Sequence, residues 1–195
     1  MQVVGLLNQL YSTFDEIVDK HDVYKVETIS DAYMCVSGLP RRNGNAHAKE
    51  IAEMSLELVV AVREFRSIYL PNPNERLSIR IGNHSGWLSY EKHRLNSIAG
   101  TCVGIVFFGD TVNTASRMMS SNSKPNQVHI SKETNHLLTN VIGGYRTECR
   151  GDIVVKGKGV LTTFFLLGKG TPPPPKSKSI QRSVSHELDD DLKSL

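Results

Sequence analysis

The segment VYKVETISDAYMCV, residues 23–36, constrains the fold more than any other stretch. Val23 to Ile29 is rich in β-branched and aromatic residues, Ser30-Asp31 is a turn signal, and Ala32 to Val36 resumes an apolar run. Two extended arms joined by so short a turn pair antiparallel. The hairpin also carries Lys25, Glu27 and Asp31. Two readings stand open at this level. Either Glu27 faces water and Asp31 caps the turn, or two acids are held at fixed positions on a rigid hairpin to do chemistry.

The rest of the chain alternates helices with strands. Val3, Leu6, Leu10, Phe14 and Ile17 recur at helical spacing, which predicts an amphipathic helix over residues 2–19. After the hairpin, SGLPRRNGN reads as a loop. Ile51, Met54, Leu58, Val62 and Phe65 predict a second helix over 46–67, closed by PNPNE. LSIRIGNHSG predicts a strand ending on glycine, and residues 87–108 carry no clear pattern. DTVNTASRMMSS predicts a short helix with Asp110 or Thr111 near its N-cap, its Ala115, Ser116 and Met119 turned toward a sheet. QVHIS predicts a strand, KETNHLLTNVI a helix, and DIVVKGKGVLTTFFLLG a closing hairpin about Gly-Lys-Gly. This order predicts an α+β sandwich with helices on one face of an antiparallel sheet.

At 195 residues the chain is long enough for one domain with a core, plus a tail. From Thr171 onward TPPPPKSKSIQRSVSHELDDDLKSL is proline-rich and then polar, too poor in apolar surface to offset ordering. The expected division is a domain over 1–168 and a disordered tail over 169–195. A net charge of +3 is too weak and scattered to indicate nucleic acid. No apolar stretch is long enough to cross a bilayer, and the start is no signal peptide. Cys35, Cys102 and Cys149 are odd in number, far apart and without a CxxC pair, which suits a reducing compartment and gives no zinc or disulfide framework.

Three constellations carry possible chemistry. Asn113 and Arg117 are four residues apart and share a helical face. An amide beside a guanidinium suits a sugar and a phosphate, although an ordinary surface pair has the same spacing. KGKG, Lys156 to Gly159, offers two cations between glycines that allow close backbone approach, or it is a plain hairpin turn. It lacks the spacing of a Walker A loop. His84 ends a strand beside glycines, where a structural role is the commoner one, and His47 and His129 lack partners at metal spacing.

Together, VYKVETISDAYMCVSGLPRRNG, HAKEIAEMSLELV, LSIRIGNHSG, FGDTVNTASRM and VKGKGVLTTFF resemble, in order, the catalytic domain of class III nucleotide cyclases. The receptor-type guanylate cyclases are the most similar group, from about Val3 to Leu167. The resemblance implies a ferredoxin-like sheet derived from βαββαβ order. It implies conversion of GTP to 3′,5′-cyclic GMP and pyrophosphate by in-line attack of the ribose 3′-hydroxyl on the α-phosphate, with two Mg²⁺ or Mn²⁺ ions held by two aspartates. By this resemblance Asp31 is a metal aspartate and Glu27 reads the guanine edge. Asn113 orients the ribose, Arg117 stabilises charge on the transferring phosphate, and Lys156 pairs the terminal phosphates. Such domains form head-to-tail dimers, so Asp31 of one subunit is expected to face Glu27, Asn113, Arg117 and Lys156 of the other. The expected partners are GTP and a second cyclase domain, identical or different. The expected location is cytoplasmic, with any membrane attachment in other parts of a parent receptor.

The chain departs from the family pattern in three places. The family's opening strand, with its first metal aspartate, is expected before residue 1. WLSYEKHRLNS follows HSG where the family has a short link, and a Pro-Arg-Tyr-Cys stretch that helps define the guanine pocket is absent before FGDTVN. Ser30 stands where the family has glycine before the metal aspartate. Together these predict weak or no turnover by this chain alone. They leave two alternatives: a catalytically silent module that dimerises with a complete cyclase, and adenylate cyclase, which Glu27 disfavours.

Overall fold

A computed structural model describes residues 2–29, 32–70, 76–97, 100–108, 110–121, 124–155 and 157–170. The tail expected over 169–195 lies outside them from residue 171 onward. Helix α1 (Gln2–Val18) leads into the hairpin β1 (Val23–Ile29) and β2 (Ala32–Ser37), followed by α2 (Ala46–Glu64). Strands β3 (Ile81–Asn83), β4 (Ser89–Ser97) and β5 (Gly100–Phe108) precede α3 (Asp110–Ser120). Strand β6 (Val128–Ser131) and α4 (Lys132–His136) follow, α4 continuing as a π-helical turn over Leu137–Val141. The long strands β7 (Tyr145–Val155) and β8 (Gly159–Lys169) close the domain.

Four strands form one sheet in the order β3-β6-β8-β7. β3 and β6 run parallel with Gly82 opposite His129, and β6–β8 and β8–β7 are antiparallel. The amphipathic pattern of α2 explains its place over this sheet. Ala48, Ala52 and Val59 pack with Val128, Ile130, Leu138, Tyr145 and Leu166 in one buried cluster. A second cluster joins α1 to α2 through Phe14, Ile17, Val18, Met54, Leu58 and Val62, with Val23, Tyr33 and Cys35 of the hairpin packed against it.

The helices are not all on one face. Along β6, Val128 and Ile130 point to α2, and alternation turns His129 the other way. There His129 Nδ1 bonds the carbonyl of Met118 at 2.6 Å and its ring lies 5.5 Å from that of Phe165. Helix α3 therefore covers the sheet face opposite α2. Gly82 makes this possible, since a β-carbon there would stand 2.8 Å from the carbonyl carbon of Met118.

Several elements differ from the sequence expectation. The strand predicted over LSIRIGNHSG narrows to Ile81–Asn83. Just before it, Asn126 occupies both backbone groups of Ile79: its Oδ1 accepts from the Ile79 N–H at 3.0 Å, and its own N–H donates to the Ile79 carbonyl at 2.8 Å. A loop asparagine thus takes the place of a neighbouring strand. Helix α2 stops at Glu64, where Phe65 turns to extended backbone and buries its ring. Arg66 Nη1 then bonds the carbonyls of Arg63 and Phe65 at 3.2 and 2.7 Å, supplying partners that the helix end lacks. Where residues 87–108 carry no clear pattern, Ser89–Ser97 and Gly100–Phe108 form a two-stranded antiparallel ribbon, paired from Ser89 with Phe108 to Ser97 with Gly100.

The hairpin β1–β2 is a separate two-stranded sheet. Among the described residues no strand hydrogen-bonds it to the four-stranded sheet, and packing under α1 and α2 holds the two together. A register shift lies between Lys25, opposite Cys35, and Glu27, opposite Met34. Such a bulge inserts one extra residue, here Val26, and changes the phase of the strand on its far side.

Candidate nucleotide site

Helix α3 is the best-defined part of the candidate site. Thr114 and Met118 are its buried residues, and Asn113 and Arg117 are exposed. This corrects the expected inner face: Ser116 is exposed, and Ala115 and Met119 are only half-buried. Threonine can face inward because its hydroxyl is satisfied there. Thr114 Oγ1 donates to the Asp110 carbonyl at 2.9 Å and accepts from Lys158 Nζ. The outward pairing of amide and guanidinium stands as the spacing implied.

The β7–β8 turn lies against the first turn of this helix. Lys158 Nζ forms an ion pair with the Asp110 carboxylate. The Lys158 N–H closes the turn on the Val155 carbonyl at 3.0 Å, and Gly157 and Gly159 take positive φ, 86° and 79°. The glycines thus serve a tight reversal that L-residues adopt at a cost. Lys156 itself lies outside the described residues. The described part of the turn, Gly157 to Gly159, is fastened through Lys158 to the helix that carries Asn113 and Arg117.

Beside α3 lies a hydrogen-bonded cluster at the end of β3. His84 Nδ1 lies 2.8 Å from Ser131 Oγ and 3.6 Å from the Glu133 carboxylate. Burial pulls the His84 imidazole below its ordinary value, opposed by the charge of Glu133. Thr134 donates its hydroxyl to Ser85 Oγ at 3.1 Å, and Thr111 donates to the Trp87 carbonyl at 2.5 Å. His84 is a structural histidine in this arrangement. His47 lies 2.6 Å from the Gly44 carbonyl through Nδ1. Among the described residues no group of three or more His, Cys, Asp or Glu is arranged to hold a metal ion.

The hairpin is anchored from α1. Lys25 Nζ donates to Asp15 Oδ1 at 2.6 Å and lies 4.8 Å from the Tyr33 ring centroid. Tyr33 donates its hydroxyl to the same carboxylate oxygen. The bonds from Lys25 and then Tyr33 hold the Asp15 carboxyl below its usual range, and burial followed by the bond to Asp15 pushes the Tyr33 phenol up. Nothing in the sequence singles out Asp15, which reads as one more polar residue on an amphipathic helix. Glu27 is placed by backbone register alone, and Asp31 lies outside the described residues.

An open cleft of about 630 Å³ lies between the end of α3 and β7, lined by Ser120, Ser121, Arg150 and Asp152 among others. Neither Asn113 nor Arg117 lines it. The exposed face of α3 that bears Asn113 and Arg117 is open surface.

Helix α3 and the hairpin carry the described residues to which the sequence resemblance assigns nucleotide contacts. Residues 1–168 match the family model of the adenylate and guanylate cyclase catalytic domain, and the chain belongs to that family. It is 48% identical over 191 residues to the receptor-type guanylate cyclase gcy-20 of Caenorhabditis elegans, covering 95% of this chain but 16% of that protein. The fold is similar to the crystal structure of the guanylate cyclase domain of RhGC from Catenaria anguillulae in complex with GTP. The TM-score is 0.71 and the identity 34%, covering 84% of this chain and 82% of that one. It is also similar to the non-canonical dimeric guanylyl cyclase domain of the RhoGC fusion protein of Blastocladiella emersonii. Here the TM-score is 0.71 at 32% identity, covering 85% and 83% of the two chains. No helix among the described residues is long and apolar enough to cross a membrane.

Proposed function

We propose that this domain binds GTP and serves the formation of 3′,5′-cyclic GMP and pyrophosphate within a cyclase dimer. The carrying observation is that α3 presents Asn113 and Arg117 together while Lys158 fastens the β7–β8 turn to the same helix. Similarity to a cyclase domain in complex with GTP supports the choice of nucleotide.

In this reading Glu27 accepts from the N–H groups of the guanine edge, which adenine does not offer in that pattern. The Asn113 amide orients the ribose so that its 3′-oxygen lies in line with the bond to be broken. That oxygen gives up its proton to water and bonds to the α-phosphorus as the bond to the bridging oxygen breaks, and the electron pair leaves with pyrophosphate. Arg117 holds the charge that builds on the transferring phosphoryl oxygens, and Lys156 holds the terminal phosphates. Mg²⁺ or Mn²⁺, when bound, adds charge neutralisation and makes the 3′-hydroxyl a better nucleophile. Asp31 is the residue of this chain proposed to hold it, working across the interface from the other four.

Two sequence features favour a chain that depends on its partner. No Pro-Arg-Tyr-Cys stretch of the kind that helps define the family's guanine pocket precedes FGDTVN, and Ser30 occupies a turn position where the family has glycine. The chain accordingly donates its base, ribose and phosphate contacts to the carboxylates of a complete cyclase domain. The test measures cyclic GMP from GTP and Mn²⁺, first with this protein alone and then mixed with a complete receptor-type cyclase domain lacking its own Arg117 equivalent. Little turnover alone and recovery on mixing, abolished by Arg117→Ala, is the expected result. Robust turnover alone that Asp31→Ala removes would overturn the dependence. No recovery on mixing would overturn the donation.

A further inference from the structure

Lys158 is the second lysine of a turn whose first lysine is assigned to phosphate, and the two look interchangeable in sequence. The structure separates them. We infer that Lys158 is a positioning residue, committed to Asp110 and Thr114, which fixes the β7–β8 turn on α3 so that Lys156 and Arg117 address one triphosphate. This inference rests on the proposed nucleotide site.

The geometry is specific. Lys158 Nζ meets a carboxylate in the first turn of α3 and a hydroxyl one turn further along the same helix. Thr114 is buried at 2% exposure, and its own proton is already given to the Asp110 carbonyl, leaving a lone pair for the ammonium. The Lys158 side chain is 26% exposed although its backbone sits at the tip of a hairpin. A lysine at a hairpin tip ordinarily extends into water; this one folds back and fills two acceptors. The turn offers no other described link to the helix of this kind, because Gly157 and Gly159 carry no side chains. Without that tie, the positive-φ glycines on either side of Lys158 allow the turn a wider range of backbone conformations.

The consequence runs against simple electrostatics. A phosphate ligand is helped by removing a nearby acid, so Asp110→Ala strengthens triphosphate binding if Lys158 itself holds phosphate. If Lys158 acts through Asp110, the same substitution weakens binding, because it releases the turn. The two ideas therefore differ in sign.

The experiment titrates GTP, GMP and inorganic tripolyphosphate with Mn²⁺ into the full chain and into Asp110→Ala, Asp110→Asn, Lys158→Ala, the Asp110→Ala/Lys158→Ala double variant and Lys156→Ala. Positioning predicts that Asp110→Ala and Lys158→Ala each weaken GTP and tripolyphosphate by several-fold. The double variant is no worse than either single one, and GMP binding moves less than twofold, since it lacks the outer phosphates. General misfolding would weaken GMP equally and overturn the inference. So would tighter tripolyphosphate binding in Asp110→Ala, or additive losses in the double variant. The isosteric Asp110→Asn repeats the comparison if the alanine variants fail to fold. If the unaltered protein binds neither GTP nor tripolyphosphate, or Lys156→Ala changes nothing, the nucleotide site falls and takes this inference with it. If those controls behave and Asp110→Ala tightens binding, the positioning role alone fails.

Discussion

A β-carbon at Gly82 would stand 2.2 Å from the backbone nitrogen of Met119 and 2.5 Å from the Ala115 carbonyl oxygen. Both are main-chain atoms of α3, so neither can move aside as a side chain does. Gly82→Ala must push the helix off the sheet, and overpacking of this kind costs about 1–3 kcal/mol. The expected outcome is a lower Tm by thermal denaturation and a loss of GTP affinity larger than the stability change suggests, because α3 carries Asn113 and Arg117. An unchanged Tm would mean that the contact is looser than described.

Asp15 holds both Lys25 and Tyr33 through one carboxylate oxygen, and Lys25 and Tyr33 belong to the two strands of the hairpin that bears Glu27. The Asp15 and Lys25 side chains are 47% and 38% exposed, so the ion pair contributes at most about 1 kcal/mol to folding. Asp15→Ala is expected to lower Tm by only a few degrees. Its larger effect is expected on base selection, measured as the ratio of GTP to ATP affinity, which falls as the hairpin loosens. A fall in Tm with an unchanged ratio would confine Asp15 to a structural role.

These two residues show where the sequence was readable and where it was not. Helix α1, the hairpin, α3 and β6 follow from local periodicity and turn chemistry, and their described boundaries lie within a residue or two of the expected ones. The exposed pairing of Asn113 with Arg117 follows from helical spacing alone. What failed depends on partners distant in sequence. The strand over LSIRIGNHSG is cut short by Asn126, 47 residues beyond Ile79. Thr114 faces inward because Lys158, 44 residues away, supplies the proton its oxygen accepts. The placement of α3 on the second face turns on Gly82, which in sequence reads as a strand terminator. The ribbon over residues 89–108 has neither the turn residues nor the alternation that announce a hairpin, and its pairing is visible only in the folded backbone.

The cysteines should separate by reactivity. Cys149 is exposed, whereas Cys35 packs against the core of α1 and α2. Burial pushes the Cys35 thiol up to about 12, with Lys25 opposing the rise. Thiolate is the reactive form, so Cys35 is expected to resist maleimide at pH 7.5 in the folded protein while Cys149 is modified within minutes. Peptide mapping by mass spectrometry after timed labelling checks this. Both should label at similar rates in denaturant, and rapid native labelling of Cys35 would show that the hairpin opens readily from α1.

Glu53 on α2 accepts from the Tyr145 hydroxyl at 2.9 Å and from Lys169 Nζ at 2.8 Å, tying the helix to both long strands. Burial raises the Glu53 carboxyl, but the bonds from Lys169 and Tyr145 outweigh it, and the net shift is downward. The folded protein thus holds this proton less tightly than the unfolded chain, where a glutamate titrates near pH ~4.3. Its contribution to stability is complete above that range and is lost as pH falls through the depressed folded value. The Tm difference between the protein and Glu53→Gln is expected to be constant from about pH 6 to 8 and to close as pH falls below about 4. Tyr145→Phe removes one of the two donors, so Glu53→Gln should cost less in that background. A Tm gap that widens in acid would mean that protonated Glu53 is the better-bound form, and burial would then outweigh the two hydrogen bonds.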